Sequence, residues 1–231
     1  MNILAFDTCL GAVSAAVQWR NGEGGWKLEE AYEERTTGHA ERLFPMISEV
    51  MEKAGLTFQA IDRIAITIGP GTFTGARVGV AAARAFALST GKPVVTATSL
   101  VAIAHAADLQ LTAERASRPL AVAVAARGGM VYFQLFADRA ESAGEACLVT
   151  PQEAADILER RTVLAVGSGA AAVAAAAGDH VHARLPDLQP HARSLAMLAP
   201  GLLPVEQILP LYLRPPDAKP QADKTLPRAP P

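Results

Sequence analysis

The chain has 231 residues, of which 50% are hydrophobic and 19% are charged, and its formal net charge is −2. This composition excludes a disordered protein, because there are enough apolar side chains to fill the core of one or two domains. The nearly balanced charge also excludes a chain that grips nucleic acid through an overall electrostatic attraction to phosphate.

The first half of the chain predicts three strands followed by alternating helices and strands. Alternating apolar residues indicate strands over 2–8 and 13–19, and a more polar third strand over 28–35 follows a glycine-rich turn. The apolar spacing then changes to that of helices with strands between them. These elements are a helix over 39–54, a strand over 63–68, a helix over 72–90, a strand over 93–98 and a helix over 99–107.

The second half of the chain repeats this order of elements. The predicted strands are 120–126, 131–137, 147–149, 162–166 and 181–183, and the predicted helices are 152–161, 170–177 and 192–198. The repeat predicts an α/β fold with two lobes, residues 1–110 and 111–213, of which the second is smaller. Residues 214–231 are rich in proline and poor in apolar bulk, so we expect a flexible tail.

The helix over 39–54 carries more apolar surface than one core face uses. Its apolar residues cover an arc of about 160°, whereas an ordinary amphipathic helix has a stripe of roughly 100°. Pro45 interrupts this stretch. A proline in a helix interior costs about 3 kcal/mol, so we expect the helix to begin late or to bend there.

The helix over 72–90 is still more apolar, because its only charges are Arg77 and Arg84. Gly75, Gly79 and Ala83 follow one another at intervals of four residues and form a low ridge that another helix could approach closely. Two interpretations stay open. The helix is covered by its own sheet and a neighbouring helix, or it forms a seam between two protein molecules.

A Gly-Pro-Gly turn at 69–71 joins the strand over 63–68 to this helix. Free backbone N–H groups at such a position could hold a phosphate. However, Gly69, Gly71 and Gly75 do not match the dinucleotide-binding spacing, and no Gly-Lys-Ser/Thr follows. We therefore favour a tight turn in which Thr72 or Thr74 caps the helix.

Four segments resemble the TsaB (YeaZ) family of bacterial proteins: FDT in the first strand, HAERLFPMI, IGPGTFTGARVGVAAARAFA and the late PLYLRP. The resemblance covers the chain up to its tail, and GPGTFTGARVG is its most specific part. It implies two tandem ribonuclease-H-like lobes of the actin, Hsp70 and sugar-kinase superfamily. It also implies a non-catalytic role beside a catalytic paralogue, TsaD, in making threonylcarbamoyladenosine on the tRNA adenosine beside the anticodon.

The same resemblance implies the partners of the chain and the surface that binds them. Members of the family work with TsaD and with the ATPase TsaE, use a threonylcarbamoyl-adenylate made by TsaC, and reach tRNA through the complex. Both their heterodimers and their homodimers pack through the first two helices. The interface residues expected here are Leu43, Ile47, Met51, Gly75, Arg77, Gly79 and Ala83.

Reacting groups are not expected in this chain. The metal motif of the catalytic paralogue, His-x-x-x-His, would fall on the helix over 99–107, but Val101 and Leu109 lie four residues to either side of His105. His180, His182 and His191 have no carboxylate or thiol at a recognisable zinc spacing. There is no Gly-x-Ser-x-Gly motif either. We therefore expect no metal and no cofactor.

Asp7 stands where members of the superfamily place an acid in their first phosphate loop. Asp7, Gly69 and Gly71 are therefore candidates for residues beside a nucleotide. The alternative is that Asp7 accepts backbone N–H groups in a turn. The second half has no matching acid, because residues 125–127 read Ala-Ala-Arg, so we expect no independent ATP hydrolysis.

Two other functions stay open beside the accessory role. The chain could be an enzyme of the same superfamily, a small kinase or a metallopeptidase. It could also be a homodimeric binding module that acts alone. Metal content and ATP turnover of the isolated chain would identify the first, and failure to bind any TsaD-like protein would indicate the second.

The sequence also predicts where the protein resides. The amino-terminal segment has no basic region of a secretory signal and carries Asp7 inside its apolar stretch. No apolar run is long enough to span a membrane. Cys9 and Cys147 are far apart, as expected for free thiols in a reducing compartment. We expect a cytoplasmic protein with no membrane partner.

Overall fold

The structure is a computed structural model that describes residues 1–22, 24–115, 118–137 and 141–213. The tail expected over 214–231 lies outside these residues. The strands are β1 (Ile3–Asp7), β2 (Ala12–Arg20), β3 (Trp26–Glu34), β4 (Arg63–Thr67), β5 (Val94–Ala97), β6 (Leu120–Ala125), β7 (Val131–Phe136), β8 (Cys147–Val149), β9 (Val163–Val166) and β10 (Val181–Arg184). The helices are α1 (His39–Ala54), α2 (Phe73–Thr90), α3 (Ser99–Gln110), α4 (Thr112–Arg115), α5 (Pro151–Ile157), α6 (Ala170–Ala177) and α7 (Ala192–Leu198).

The strands form two five-stranded sheets of the same topology. The first has the order β3-β2-β1-β4-β5, and the second, written in the same direction, has the order β8-β7-β6-β9-β10. In each sheet, the first three strands along the chain pair antiparallel with one another. The other two strands run parallel to the first strand of that sheet along the chain. This arrangement confirms the two-lobed α/β fold and the duplication that the order of elements predicts.

The first sheet is covered on both faces. Along β1, Leu4 and Phe6 face a core shared with α1 and α2, while Ile3 and Ala5 face a core shared with α7. This double burial explains why β1 reads as a nearly continuous apolar run. In the second sheet, α5 and α6 cover the outer face.

The two sheets exchange their inner helices. Leu100 and Ile103 of α3, which follows the first sheet in the chain, pack against Leu120 and Val122 of the second sheet. In return α7, from the second half, packs on the first sheet. Each lobe is thus completed by a helix of the other half, and the lobe boundary at residue 110 stays a prediction.

The structure differs from the sequence prediction at the beginning of α1. The helix begins at His39 although Pro45 is its seventh residue, so the expected late start is wrong. Leu43, Met46 and Ile47 are fully buried on both sides of this proline. Burying a large apolar side chain stabilises a fold by about 1.5–3 kcal/mol, so three of them outweigh a proline cost of about 3 kcal/mol.

Candidate protein-interaction surface

The outward face of α1 is partly apolar and partly acidic. The opposite face packs on the first sheet through Leu43, Met46, Ile47, Val50 and Met51. Phe44 is 50% exposed, and Pro45 beside it is also exposed. Glu41 lies exposed about one turn before Phe44, and Ser48 and Glu52 lie exposed about one and two turns after it. The outward face therefore presents an aromatic ring between two carboxylates.

The outward face of α2 is apolar and basic. Its buried residues are Gly75, Ala76, Gly79, Val80, Ala82 and Ala83. Its exposed side carries five residues at intervals of one to four positions: Arg77, Ala81, Arg84, Ala85 and Leu88. Leu88 is 90% exposed. No acidic residue occurs in this helix, so its outward face carries positive charge only.

The seven interface residues expected from the sequence all lie within the described part of the chain, and their role at an interface stays a prediction. Six of the seven pack inside the chain itself: Leu43, Ile47, Met51, Gly75, Gly79 and Ala83. Only Arg77 is exposed. A helical wheel shows the width of an apolar arc, but it does not show which part of the arc the sheet covers. The exposed residues that the sequence analysis missed are Phe44, Ala81, Ala85 and Leu88.

Phe86 joins the two helices beneath this surface. Its ring centroid lies 5.7 Å from that of Phe44 on α1 and 6.1 Å from that of Phe6 on β1. It also stacks on Phe58 at 5.4 Å. Aromatic pairs at these distances add to the stability of a core beyond their buried area. Phe44 is therefore anchored from below while half of its ring faces solvent.

The carboxyl-terminal segment 203–213 runs beside α2 and completes the surface. The N–H of Val205 donates to the carbonyl of Val94 at 2.9 Å, and that of Leu211 donates to Ile68 at 2.8 Å. Arg84 donates from Nε to the carbonyl of Ile208 at 2.9 Å. This segment contains the first four residues of the PLYLRP motif, Pro210 to Leu213, and it has no regular secondary structure that a periodic pattern could predict.

A groove of about 400 Å³ lies between α2 and this segment. We call it the arginine groove, and it is lined by Arg77, Val80, Ala81, Arg84, Pro210 and Tyr212. Arg77 lies over the ring of Phe73, with Cζ 3.5 Å from its centroid. Within the described part of the chain, neither Arg77 nor Arg84 forms a salt bridge.

The glycines before α2 allow it to pack directly on the loop after β1. A Cβ added at Gly71 would lie 2.2 Å from the carbonyl oxygen of Cys9, and one at Gly75 would lie 2.1 Å from that of Thr8. Thr72 caps the helix, because its side chain accepts the N–H of Gly75. The predicted cap is thus confirmed at Thr72, and these contacts favour the tight turn over a phosphate cradle.

Asp7 is enclosed at the end of β1 and is only 1% exposed. Its Oδ1 accepts the N–H of Cys9 at 3.2 Å and the hydroxyl of Thr67. Its Oδ2 is buried without a hydrogen-bond partner among the described residues. Burial raises the pKa of Asp7 to about 6. These contacts support the structural interpretation of Asp7 as a turn acceptor.

Gly69 also has a structural contact. Its φ is +109°, and an added Cβ would lie 2.8 Å from the carbonyl oxygen of Leu211. The glycine therefore lets the carboxyl-terminal segment approach the turn before α2. A place beside a nucleotide for Asp7, Gly69 and Gly71 stays a prediction.

His191 and His105, two of the histidines considered in the sequence, lie in packed surroundings. His191 stacks on Tyr32 with centroids 4.4 Å apart, and its Nδ1 lies 3.3 Å from the carboxylate of Glu30. It thus joins α7 to β3. His105 is partly buried, and burial lowers its pKa. Across the described ranges, no group of three or more His, Cys, Asp or Glu side chains is arranged to hold a metal ion.

Cys9 and Cys147 are free thiols, as their separation in the sequence predicts. None of the helices within the described ranges combines the length and the apolar character needed to cross a bilayer.

Comparison with known proteins places the chain beside tRNA-modification proteins. The family model described as TsaD, tRNA N6-adenosine threonylcarbamoyltransferase, matches residues 32–199. The tRNA threonylcarbamoyladenosine biosynthesis protein TsaB of Haemophilus influenzae is 33% identical over 185 residues, which are 74% of each chain. A tRNA N6-adenosine threonylcarbamoyltransferase of Erythrobacter litoralis is 39% identical over 90 residues, 39% of this chain and 26% of that protein.

A solved structure extends the similarity to the whole fold. YeaZ from Pseudomonas aeruginosa has a TM-score of 0.79 and 30% sequence identity to the chain. The match covers 92% of this chain and 99% of that one. The two lobes, together with the helices α3 and α7 that they exchange, therefore belong to an architecture that is already known.

Proposed function

The chain belongs to the TsaB (YeaZ) family of tRNA threonylcarbamoyladenosine biosynthesis, and we propose that it acts there as the non-catalytic subunit that binds a TsaD-type paralogue. The observation that carries this proposal is the outward face of α1 and α2. Phe44, Ala81 and Leu88 expose apolar surface on two adjacent helices. Contiguous exposed apolar surface of this kind marks protein interaction sites.

The residues at the positions expected for catalysis support a non-catalytic role. β6 ends at Ala125, where the first half ends β1 with Asp7. Val101 and Leu109 flank His105 on α3. Asp7 itself is enclosed by its own loop, which leaves it no surface on which to meet a substrate. The chain would therefore supply a binding surface, and the paralogue would supply the reacting groups.

Family membership also supports a proposal for the wider assembly. We propose a cytoplasmic complex in which a TsaE-like ATPase joins the pair and tRNA is bound through the complex. In the absence of the paralogue, the chain would form a homodimer through the same two helices. A TsaD-type partner fits the similarity of the chain to the TsaD family model.

Reconstitution of tRNA modification from purified components tests this function. The reaction contains a TsaD-type protein, a TsaE-type ATPase, a source of threonylcarbamoyl-adenylate and unmodified tRNA, with or without this chain. We expect modified adenosine only when the chain is present, together with co-purification of the chain and the TsaD-type protein. Modification that proceeds equally without the chain would contradict the proposal.

The isolated chain provides the matched control for the enzyme alternative. We expect no stoichiometric metal and no ATP turnover above background when it is measured alone. A stoichiometric metal or substantial turnover would instead favour a small kinase or a metallopeptidase.

A further inference from the structure

We propose that the tip of the β2–β3 hairpin, residues 19–27, binds unpaired RNA, with Trp26 stacking on a base and with Arg20 and Lys27 contacting phosphates. We call these residues the hairpin tip. The inference rests on the proposed function for one point, the identity of the RNA, which would be the tRNA that is modified. It adds a direct contact between this chain and that substrate.

The hairpin tip extends beyond the rest of the first sheet. β2 and β3 pair as far as Arg20 opposite Trp26, whereas the register of β1 with β2 ends at Gln18. Two hydrogen bonds close the turn: the N–H of Asn21 donates to the carbonyl of Gly25 at 2.9 Å, and the N–H of Gly25 donates to Oδ1 of Asn21 at 2.7 Å. The side chains of the tip are therefore carried by a paired backbone.

Both tryptophans of the chain belong to the hairpin tip, and their surroundings differ. Trp19 lies opposite Lys27 and packs against the core shared with α1 and α2. Trp26 faces the other side of the sheet, because it comes two residues before Leu28, which packs against the core shared with α7. Trp26 is 46% exposed. An exposed indole on a strand offers a flat surface on which a base can stack.

The charges beside Trp26 suit a phosphate backbone. Cζ of Arg20 lies 5.0 Å from the centroid of the Trp26 ring. Within the described part of the chain, neither Arg20 nor Lys27 forms a salt bridge. Glu30, four residues after Trp26 on the same face, already contacts Arg193 at 3.7 Å. The balanced charge of the whole chain therefore conceals a local pair of cations next to an aromatic ring, which is the combination that binds single strands.

The size of the aromatic surface favours a base over a protein. A tryptophan side chain buries at most about 250 Å², so the exposed part of this ring is on the order of 100 Å². A stable protein interface buries about 800 Å² on each partner, and lysine is depleted in such interfaces. One base stacked on the ring, with its neighbouring phosphates at the two cations, needs no larger surface.

The hairpin tip stays accessible when the helices α1 and α2 are covered. These two helices pack on one face of the first sheet, and Trp26 lies on the opposite face, toward α7. A TsaD-type partner on the outward face of α1 and α2 would therefore leave the ring exposed. The chain can bind its partner and RNA at the same time.

Fluorescence of the isolated full chain tests the stacking. A single-stranded RNA oligonucleotide should quench part of the tryptophan emission at low salt. Trp26→Phe leaves Trp19 as the remaining indole of the chain, and its emission should not change. A duplex of the same length should quench less, because its bases are already stacked. Quenching that persists in Trp26→Phe, or that is absent up to about 10⁻⁴ M oligonucleotide, would overturn the inference.

Two substitutions of Trp26 separate stacking from apolar contact. Trp26→Leu keeps an apolar side chain without a ring, and Trp26→Tyr keeps a ring. In fluorescence anisotropy with a labelled oligonucleotide, we expect the Kd to rise about tenfold in Trp26→Leu and to stay within about threefold of the wild type in Trp26→Tyr. Ile157→Ala, at a side chain of α5 that is 41% exposed, is the control. An unchanged Kd in Trp26→Leu would overturn the stacking role.

Salt dependence tests the two cations. Each phosphate contact on a single strand contributes roughly 0.7 to the slope of log Kd against log salt, so Arg20→Ala combined with Lys27→Ala should lower this slope by about 1.4. Arg161→Ala, at an exposed position of the second lobe, should keep the wild-type slope. Glu23, whose position lies outside the described residues, adds a negative charge to the sequence of the tip, and Glu23→Gln should strengthen binding. An equal slope in the double variant and the wild type would contradict the phosphate contacts.

The tRNA modification assay separates this inference from the proposed function. In a complex with a TsaD-type protein, Trp26→Leu should raise the KM for tRNA about tenfold without changing co-purification, and its thermal midpoint shows that it is folded. A complex that forms and modifies tRNA equally well with Trp26→Leu contradicts this inference alone. Loss of co-purification in a folded Trp26→Leu would also overturn it, because the tip would then contact protein. A chain that binds RNA through the tip but binds no TsaD-type protein contradicts the proposed function instead.

Discussion

The hydroxyl of Tyr212 accepts a hydrogen bond from Nε of Arg77 at a distance of 2.9 Å. This contact joins residues 135 positions apart in the chain. It fixes the carboxyl-terminal segment along α2, where the N–H of Leu211 also reaches the carbonyl of Ile68. The outward face of α2 is thus built from two distant parts of the sequence.

Removing this hydroxyl should loosen the segment without unfolding the protein. In Tyr212→Phe the ring still stacks on Phe73, but the hydrogen bond, worth about 0.5–1.5 kcal/mol, is lost. We expect the amide of Leu211 to exchange with deuterium about two- to tenfold faster, as measured by mass spectrometry. Tyr132→Phe on the second sheet is the matched control, and equal exchange at Leu211 in Tyr212→Phe and the wild type would show that the contact does not fix the segment.

Gly75→Ala should be one of the most destabilising single-methyl substitutions in the chain. The added Cβ would lie 2.1 Å from the carbonyl oxygen of Thr8, which belongs to the backbone and cannot rotate away. Overpacking of this kind costs about 3 kcal/mol or more in the free energy of unfolding, measured with urea. At Gly201 an added Cβ meets nothing within 4 Å, so Gly201→Ala is the control. Similar losses in both variants would contradict the close approach.

The order of elements was predictable from the sequence because the apolar residues of each strand and helix recur at the spacing of that element. The spacing of apolar residues in an element does not show which other element it packs against. Gly75 and Gly79 read as a ridge for another helix, yet both pack against Thr8 of the loop after β1. Leu43 and Phe44 are adjacent on one apolar arc, and only the placement of the first sheet decides that Leu43 is buried and Phe44 exposed.

Local sequence patterns were equally unable to predict the contacts between distant segments of the chain. The exchange of α3 and α7 between the sheets depends on how two lobes meet. The carboxyl-terminal segment has no period at all, and its path is set by backbone hydrogen bonds to residues more than 100 positions earlier. The arginine groove therefore appears only in the folded structure.

Ala81→Arg should separate partner binding from folding. Ala81 is exposed on α2 between Arg77 and Arg84, so a long cation there adds like charge and blocks close approach of another helix. We expect at least a tenfold loss of affinity for the TsaD-type protein in a pull-down titration, while stability stays within about 0.5 kcal/mol of the wild type. Ala175→Arg, on the exposed side of α6, is the control. Unchanged affinity in Ala81→Arg would place the interface elsewhere.

Asp7→Asn should stabilise the protein at neutral pH. Burial raises the pKa of Asp7 from 3.8 to about 6 in the folded chain. Between these pH values the unfolded chain releases a proton that the folded chain keeps, so the free energy of unfolding falls as the pH rises through this window. The total fall is about 3 kcal/mol, and above the folded pKa no further change follows from this group.

The amide introduced by Asp7→Asn would be neutral at every pH and could still accept the N–H of Cys9 and the hydroxyl of Thr67. We therefore expect the variant to exceed the wild type by up to about 3 kcal/mol at pH 7, with the difference vanishing near pH 4. Urea unfolding at several pH values measures both curves, and Asp179→Asn, at an exposed position, provides the control. A difference between the variant and the wild type that is the same at every pH would show that folding does not shift the pKa of Asp7.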